Sequence, residues 1–188
     1  PKAGKLLSVE IDTSFIPCLE DQFGAMENVH IFRGDILNHT PEKLVNEFIP
    51  GGTSHKFLSN LPYYITTKIL FHILESPLYF SRLVVMMQDE VGQRLVAPVG
   101  AENYGILSLA AKCYADVDVV HRVPASCFLP KPKVDSCVVR FRCDEKSSMT
   151  REEKLFLMKV VRSAFAQRRK TLRNSLTRSG VFGAPKEA

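Results

Sequence analysis

A chain of 188 residues with 45% hydrophobic and 24% charged residues can build one full domain with a small appendage, and its composition excludes disordered and fibrous classes. No apolar run approaches the roughly 20 residues of a membrane helix, and "PKAGKLLSVEID" lacks the long apolar core of a secretory signal. The net charge of +5 is uneven, because residues 151–188 hold ten Lys or Arg against three Asp or Glu, which suits either an anionic partner or a solvated helix face.

In chain order, "KLLSVEI" predicts a short buried strand, and "SFIPCLEDQF" a helix with Ser14 as its cap. "VHIFRGD" predicts a strand and "PEKLVNEFI" a helix with Pro41 in its first turn. "HKFLSN", "TTKILFHILES", "SRLVVMMQ" and "DEVGQRLV" continue as strand, helix, strand and helix. This alternation is the signature of a parallel sheet covered on both faces. From Tyr104 the pattern changes to a helix, "YGILSLAAKCYA", and two strands, "DVDVVHRV" and "VDSCVVRFR", joined by the Pro-rich "PASCFLPKPK". That link is too long for a tight hairpin, and an antiparallel edge on the sheet fits. A last helix opens at Thr150, which forms a capping box with Glu153. The five cysteines include no C-x-x-C pair, so they read as reduced thiols of a cytoplasmic protein rather than a disulfide frame or a zinc site.

Ligands of open α/β sheets sit beyond the C-terminal ends of the strands, and three strands end there in polar residues. After the first comes Glu10-Ile11-Asp12, which reads as a carboxylate for ribose hydroxyls or as a surface or capping carboxylate. Gly34-Asp35 follows the second, where a carboxylate can accept from an adenine amino group. The third ends in Asn60-Leu61-Pro62-Tyr63, and its chemistry is more specific. An adenine amino group is a poor nucleophile because its lone pair is delocalised into the ring. Two acceptors on its two hydrogens draw it toward tetrahedral geometry and free that pair. The Asn60 side-chain oxygen and the Leu61 carbonyl can be those acceptors. Pro62 restricts Leu61 to extended backbone and adds no competing N–H. Tyr63 offers a face on which a base stacks, worth about 1–3 kcal/mol. The alternative is a strand-to-helix turn with core aromatics, and Tyr64 reads as packing.

Asn-Leu-Pro-Tyr after a strand resembles the signature of S-adenosylmethionine-dependent adenine-amino methyltransferases, and its Leu that of the ribosomal RNA adenine dimethyltransferases. "VPASCFLPKPKVDSCVVRF" resembles that family's F-x-P-x-P-x-V segment through Phe128, Pro130, Pro132 and Val134. "FAQRRKTLRNSL" resembles the start of its C-terminal helical domain, and "QDEVGQRLVA" also fits. The resemblance spans nearly the whole chain and points to the bacterial small-subunit (KsgA) type. It implies a Rossmann-like α/β methyltransferase domain over residues 1–145 and the start of a helical RNA-binding domain over 146–188.

By the same resemblance, the cofactor is S-adenosyl-L-methionine, with Glu10 on its ribose, Asp35 on its adenine amino group, and the Ile36 backbone and Asn60 beside it. Asn60, Leu61, Pro62 and Tyr63 would hold the target adenine, with Phe128 stacked on its other face. Phe128 can equally be read as an apolar plug under the Pro-rich loop. Arg168, Arg169, Lys170 and Arg173 would contact RNA phosphates. Gln88, Glu90 and Arg94 read as structural, and no metal site is expected. The implied reaction is dimethylation of two adjacent adenosines near the 3′ end of small-subunit (16S) ribosomal RNA, on the immature subunit, by a cytoplasmic monomer without membrane contact. Three rivals are a large-subunit enzyme of the antibiotic-resistance type, a non-catalytic ribosome-assembly or RNA-binding relative, and a plain adenine-nucleotide binder.

One departure stands out. A methyltransferase of this kind needs a glycine-rich turn after its first strand, and the ten glycines include no G-x-G. The chain therefore reads as a fragment that opens at the family's second strand and stops within its helical domain. A sheet lacking its central strand is expected to leave open edges on the neighbours.

Overall fold

The computed structural model describes residues 4–143, 149–167 and 170–183. Its elements run β1 (Leu6–Glu10), α1 (Ile16–Phe23), β2 (Val29–Arg33), α2 (Pro41–Phe48), β3 (His55–Asn60), α3 (Thr66–Leu74), β4 (Phe80–Gln88), α4 (Asp89–Val96), α5 (Ile106–Tyr114), β5 (Asp116–Val123), β6 (Ser136–Arg142), α6 (Arg151–Phe165) and α7 (Leu172–Ser179). Single 3₁₀ turns cover Ile36–Asn38 and Ala125–Cys127. The chain divides into two compact units, one from residues up to 55 with 64–80, the other from 56–63 with 81 onward. Among the described residues no helix is long and apolar enough to cross a membrane.

In the first unit, β1 and β2 form a parallel ladder from Leu6 opposite Val29 to Glu10 opposite Arg33. Parallel strands need a crossover, and the segment containing α1 supplies it. Ser14 does not cap α1, as the sequence suggests; Phe15 holds that position with no side-chain bond. Ser14 turns back instead, donating from its N and Oγ to Asp12 Oδ1 at 2.9 and 2.7 Å. A local Asx turn has outcompeted the cap, and the Ser14 hydroxyl holds the Asp12 carboxyl below its usual range. α2 starts as expected, with Pro41 first and Thr40 Oγ1 accepting from Lys43 N at 3.3 Å. It buries Leu44 and Val45, and α3 buries Ile69, Leu70 and Ile73. The Phe32 ring packs 4.9 Å from His39 and 5.5 Å from Phe48. His72 Nε2 donates to the His39 carbonyl at 2.8 Å, which ties α3 to the turn after β2.

The second unit is built on one apolar sheet face. β4 and β6 pair antiparallel with Leu83 opposite Phe141, Val85 opposite Val139 and Met87 opposite Cys137. All six side chains are fully buried, as the two-residue strand period requires. Each large apolar side chain so buried contributes about 1.5–3 kcal/mol. α4 approaches this face through Gly92, where a Cβ would lie 2.2 Å from Cys137 Sγ and 3.2 Å from Val139 Cγ2, so the contact requires glycine. Burial, then the Asp89 charge, pushes the Cys137 thiol up to about 11.

β5 adds to the far side of β6, the antiparallel edge that the sequence predicts. Asp118 and Asp116 lie opposite Arg140 and Arg142. Arg140 grips Asp118 with two bonds of 3.1 and 2.7 Å, and Arg142 reaches Asp116 at 2.5 Å and Asp118 at 2.8 Å. α6 begins with the expected capping box: Thr150 Oγ1 accepts from Glu153 N, and Glu153 Oε2 from Thr150 N. α7 ends at Gly180, whose φ of 64° forms a left-handed cap.

The strands occupy two sheets, β1-β2 and β3-β4-β6-β5, where the alternation suggests one. β1 is laddered only to β2, and β3 only to β4. The described residues offer neither strand a second partner, and Leu58 on β3 is 74% exposed. Among the described residues, β1 and β3 are edge strands of their sheets.

Candidate functional site

In the first unit, Glu10 is the last residue of β1 and Asp35 follows β2 by two positions. The two strand ends are tied by Gly34 N donating to the Glu10 carbonyl at 2.9 Å. Glu10 Oε1 accepts from Asp12 N at 2.7 Å. Asp35 Oδ1 accepts from Leu37 N at 2.9 Å, capping the turn that begins with Ile36. Each carboxylate is thus held by one oxygen on its own backbone. The second oxygen of each makes no protein hydrogen bond among the described residues, so it can accept from a ligand hydroxyl or amine. The capping reading and the ligand reading of these carboxylates are compatible.

The second unit carries the Asn60–Tyr63 turn. Leu61 is buried, and its N donates to the Met86 carbonyl at 3.1 Å, which extends the β3–β4 pairing past Asn60. Asn60 is exposed, and its side chain makes no hydrogen bond among the described residues. Pro62 is exposed and Tyr63 half-buried. The Tyr63 hydroxyl lies 2.6 Å from Ser136 Oγ at the start of β6, and Ser136 is fully buried. The residues after Asn60 are therefore held, Leu61 by its backbone and Tyr63 by its hydroxyl, while the Asn60 amide faces solvent. Tyr64 does not pack, contrary to the sequence reading: it is 85% exposed.

Phe128 closes the Ala125–Cys127 turn, with its N donating to Ala125 O at 3.3 Å, and it is half-buried. The loop is held by Asp135, whose Oδ1 accepts from Ala125 N at 2.8 Å and whose carbonyl accepts from Asp89 N at 3.0 Å. Consecutive residues at the entry to β6 thus anchor both segments, Asp135 the Phe128 loop and Ser136 the Tyr63 ring. Neither was singled out from sequence. Both sit within the "VDS" of the Pro-rich segment, and no periodicity marks a residue whose partner lies 73 positions away.

The backbone carbonyl of Gln88 accepts from Cys137 Sγ, and that of Arg94 from Ser108 Oγ. Lys170 is exposed after α6, and Arg173 is exposed in the first turn of α7. Arg168 and Arg169 lie outside the described residues.

The fold is that of the Rossmann-like ribosomal RNA methyltransferases. A dimethyladenosine transferase from Plasmodium falciparum aligns with a TM-score of 0.75 at 27% identity, over 94% of this chain and 61% of that one. The 23S rRNA methyltransferase ErmE aligns with a TM-score of 0.70 at 22% identity, over 94% and 68%; this second likeness concerns the fold alone.

The family model for ribosomal RNA adenine dimethylase matches residues 2–186, and the chain belongs to that family. It is 40% identical over 186 residues to the Ribosomal RNA small subunit methyltransferase A of Bacillus cereus (strain B4264), and equally to that of Bacillus thuringiensis (strain Al Hakam). In both cases the match covers 99% of this chain and 63% of the relative, so the chain spans somewhat under two thirds of their length.

Proposed function

We propose that the chain belongs to an S-adenosylmethionine-dependent enzyme that dimethylates two adjacent adenosines near the 3′ end of small-subunit ribosomal RNA. The observation that carries this reading is the Asn60–Tyr63 turn, with the Leu61 backbone and the Tyr63 hydroxyl held and the Asn60 amide open. Asn60 Oδ1 and the Leu61 carbonyl accept from the adenine amine, drawing its lone pair out of conjugation. Tyr63 and Phe128 supply the stacking faces. Catalysis here is positioning rather than strong-base chemistry, and each adenosine is splayed from its helix to reach the turn.

Glu10 and Asp35 fit the adenosine part of the cofactor, since each presents one unengaged carboxylate oxygen to hydroxyl or amine hydrogens, with the Ile36 backbone beside them. When bound, S-adenosylmethionine supplies the sulfonium methyl group. Residues 1–145 form the methyltransferase part, and 146–188 begin the RNA-binding helices, where Lys170 and Arg173, with Arg168 and Arg169, meet phosphates. The substrate is the immature small subunit in the cytoplasm, and the enzyme acts as a monomer. The 40% identity to small-subunit enzymes favours this substrate over large-subunit RNA. The open Asn60 amide favours catalysis over a binding-only relative.

Calorimetry with S-adenosylmethionine, with a thermal melt on the same sample, tests the cofactor half. The chain should bind with a cooperative melt, and Asp35→Ala should weaken binding about tenfold, as for a hydrogen bond to a charged group. No heat of binding from a cooperatively folded chain would overturn the assignment of Glu10 and Asp35.

A further inference from the structure

We propose that Leu129, at the tip of the Pro-rich loop, is a wedge that enters the RNA base stack beside the target adenosine while Lys131 and Lys133 hold the flanking phosphates. This rests on the reading that the substrate is RNA. Leu129 is 100% exposed, whereas Phe128 before it and Pro132 after it are half-buried. Single exposed leucines are common and mean little alone; here the surroundings give the exposure a use. The loop is closed at its base by Asp135 on Ala125 N and by the Val123–Ser136 pair. Pro130 and Pro132 fix φ on the far side of the tip. The leucine is therefore presented outward on a stiff support, and ordering it on binding costs little entropy.

Two positions and four positions further on stand Lys131 and Lys133, both exposed and without an ion pair among the described residues. The nearby Asp135 carboxylate accepts from the backbone instead. An apolar tip followed by two unpaired cations and preceded by an aromatic that offers a stacking face matches the chemistry of base-step insertion. An adenosine drawn out of its stack leaves an apolar gap, which a leucine fills and a water does not. A lipid surface is the lesser fit, because one leucine followed by two lysines buries too little apolar area to anchor a protein.

The test uses the whole chain and a hairpin of the small-subunit RNA 3′ end carrying 2-aminopurine at one of the two adjacent adenosines, a probe that brightens on unstacking. The chain should bind and raise the fluorescence. Leu129→Ala should cut that rise at least threefold with affinity changed less than threefold, while Leu129→Met keeps the rise. Replacing Lys131 and Lys133 with Ala should flatten the log–log salt slope by about 1.4, for two phosphates of a single strand. An undiminished rise with Leu129→Ala, or an unchanged salt slope, overturns the wedge alone. If the parent chain binds no hairpin, the RNA reading falls and the wedge with it. Loss of binding to phosphatidylglycerol vesicles by Leu129→Ala, with RNA unstacking unmoved, would also overturn it.

Discussion

Tyr63 is fixed at its far end. Its hydroxyl meets the buried Ser136 Oγ at 2.6 Å, so the ring plane is set by a bond as well as by packing. Ser136→Ala should therefore cost about 1 kcal/mol, a fall in melting temperature of about 2–4 °C for a chain this size. Tyr63→Phe should cost a similar amount, and the double variant little more than either single one, because the same bond is lost in each. Additive losses in the melts would mean that the two hydroxyls act separately. At this scale the sequence disclosed what is contiguous. Asn60 to Tyr63 could be read together because one reaction needs an acceptor, a carbonyl, a proline and an aromatic in a row. Ser136 and Asp135 were hidden, since their partners lie far along the chain. Tyr64 was misread because strand alternation does not set side-chain direction once the backbone turns.

At the level of elements, the register of β5 on β6 rests on Asp116, Asp118, Arg140 and Arg142, paired across the ladder. The Arg140 hydrogen bonds, ahead of the burial that opposes them, hold the Asp118 carboxyl below its ordinary value of 3.8. A carboxylate whose folded value is depressed adds stability above its unfolded value and loses it as pH falls through the folded one. Asp118→Asn should accordingly be less stable than the parent at pH 7, and the difference should shrink as pH falls from about 5 to below 3. Urea melts across that range check it; a gap that stays constant with pH would remove the carboxylate charge from the account. The elements were legible because period-two alternation in β4 and β6, and helical stripes such as Leu44-Val45, are local patterns. Ser14 failed as a predicted cap because Asp12, two residues earlier, offered its hydroxyl a nearer acceptor. The split into two sheets was not written in any one strand, since pairing depends on which partners are present.

For the molecule as a whole, the proposed reading gives each unit its own role. The first holds Glu10 and Asp35, whose carboxylates suit the adenosine of a cofactor. The second holds Asn60–Tyr63 and Phe128, which suit a target base, and the described cations Lys170 and Arg173, which suit a phosphate backbone. Family membership was legible because its motifs are contiguous and follow one another in order. What anchors them, at the entry to β6, needed the fold.

The most direct test is methyl transfer from isotopically labelled S-adenosylmethionine to immature small subunits, with the modified bases mapped and the parent chain compared with Asn60→Ala. The account predicts label on two adjacent adenosines near the 3′ end, and a loss of about 100-fold or more with Asn60→Ala, the scale of removing one well-placed polar group at the reacting centre, while cofactor affinity stays within about twofold. Label confined to large-subunit RNA, no transfer by a chain that binds both cofactor and RNA, or an Asn60→Ala variant at the parental rate would contradict it.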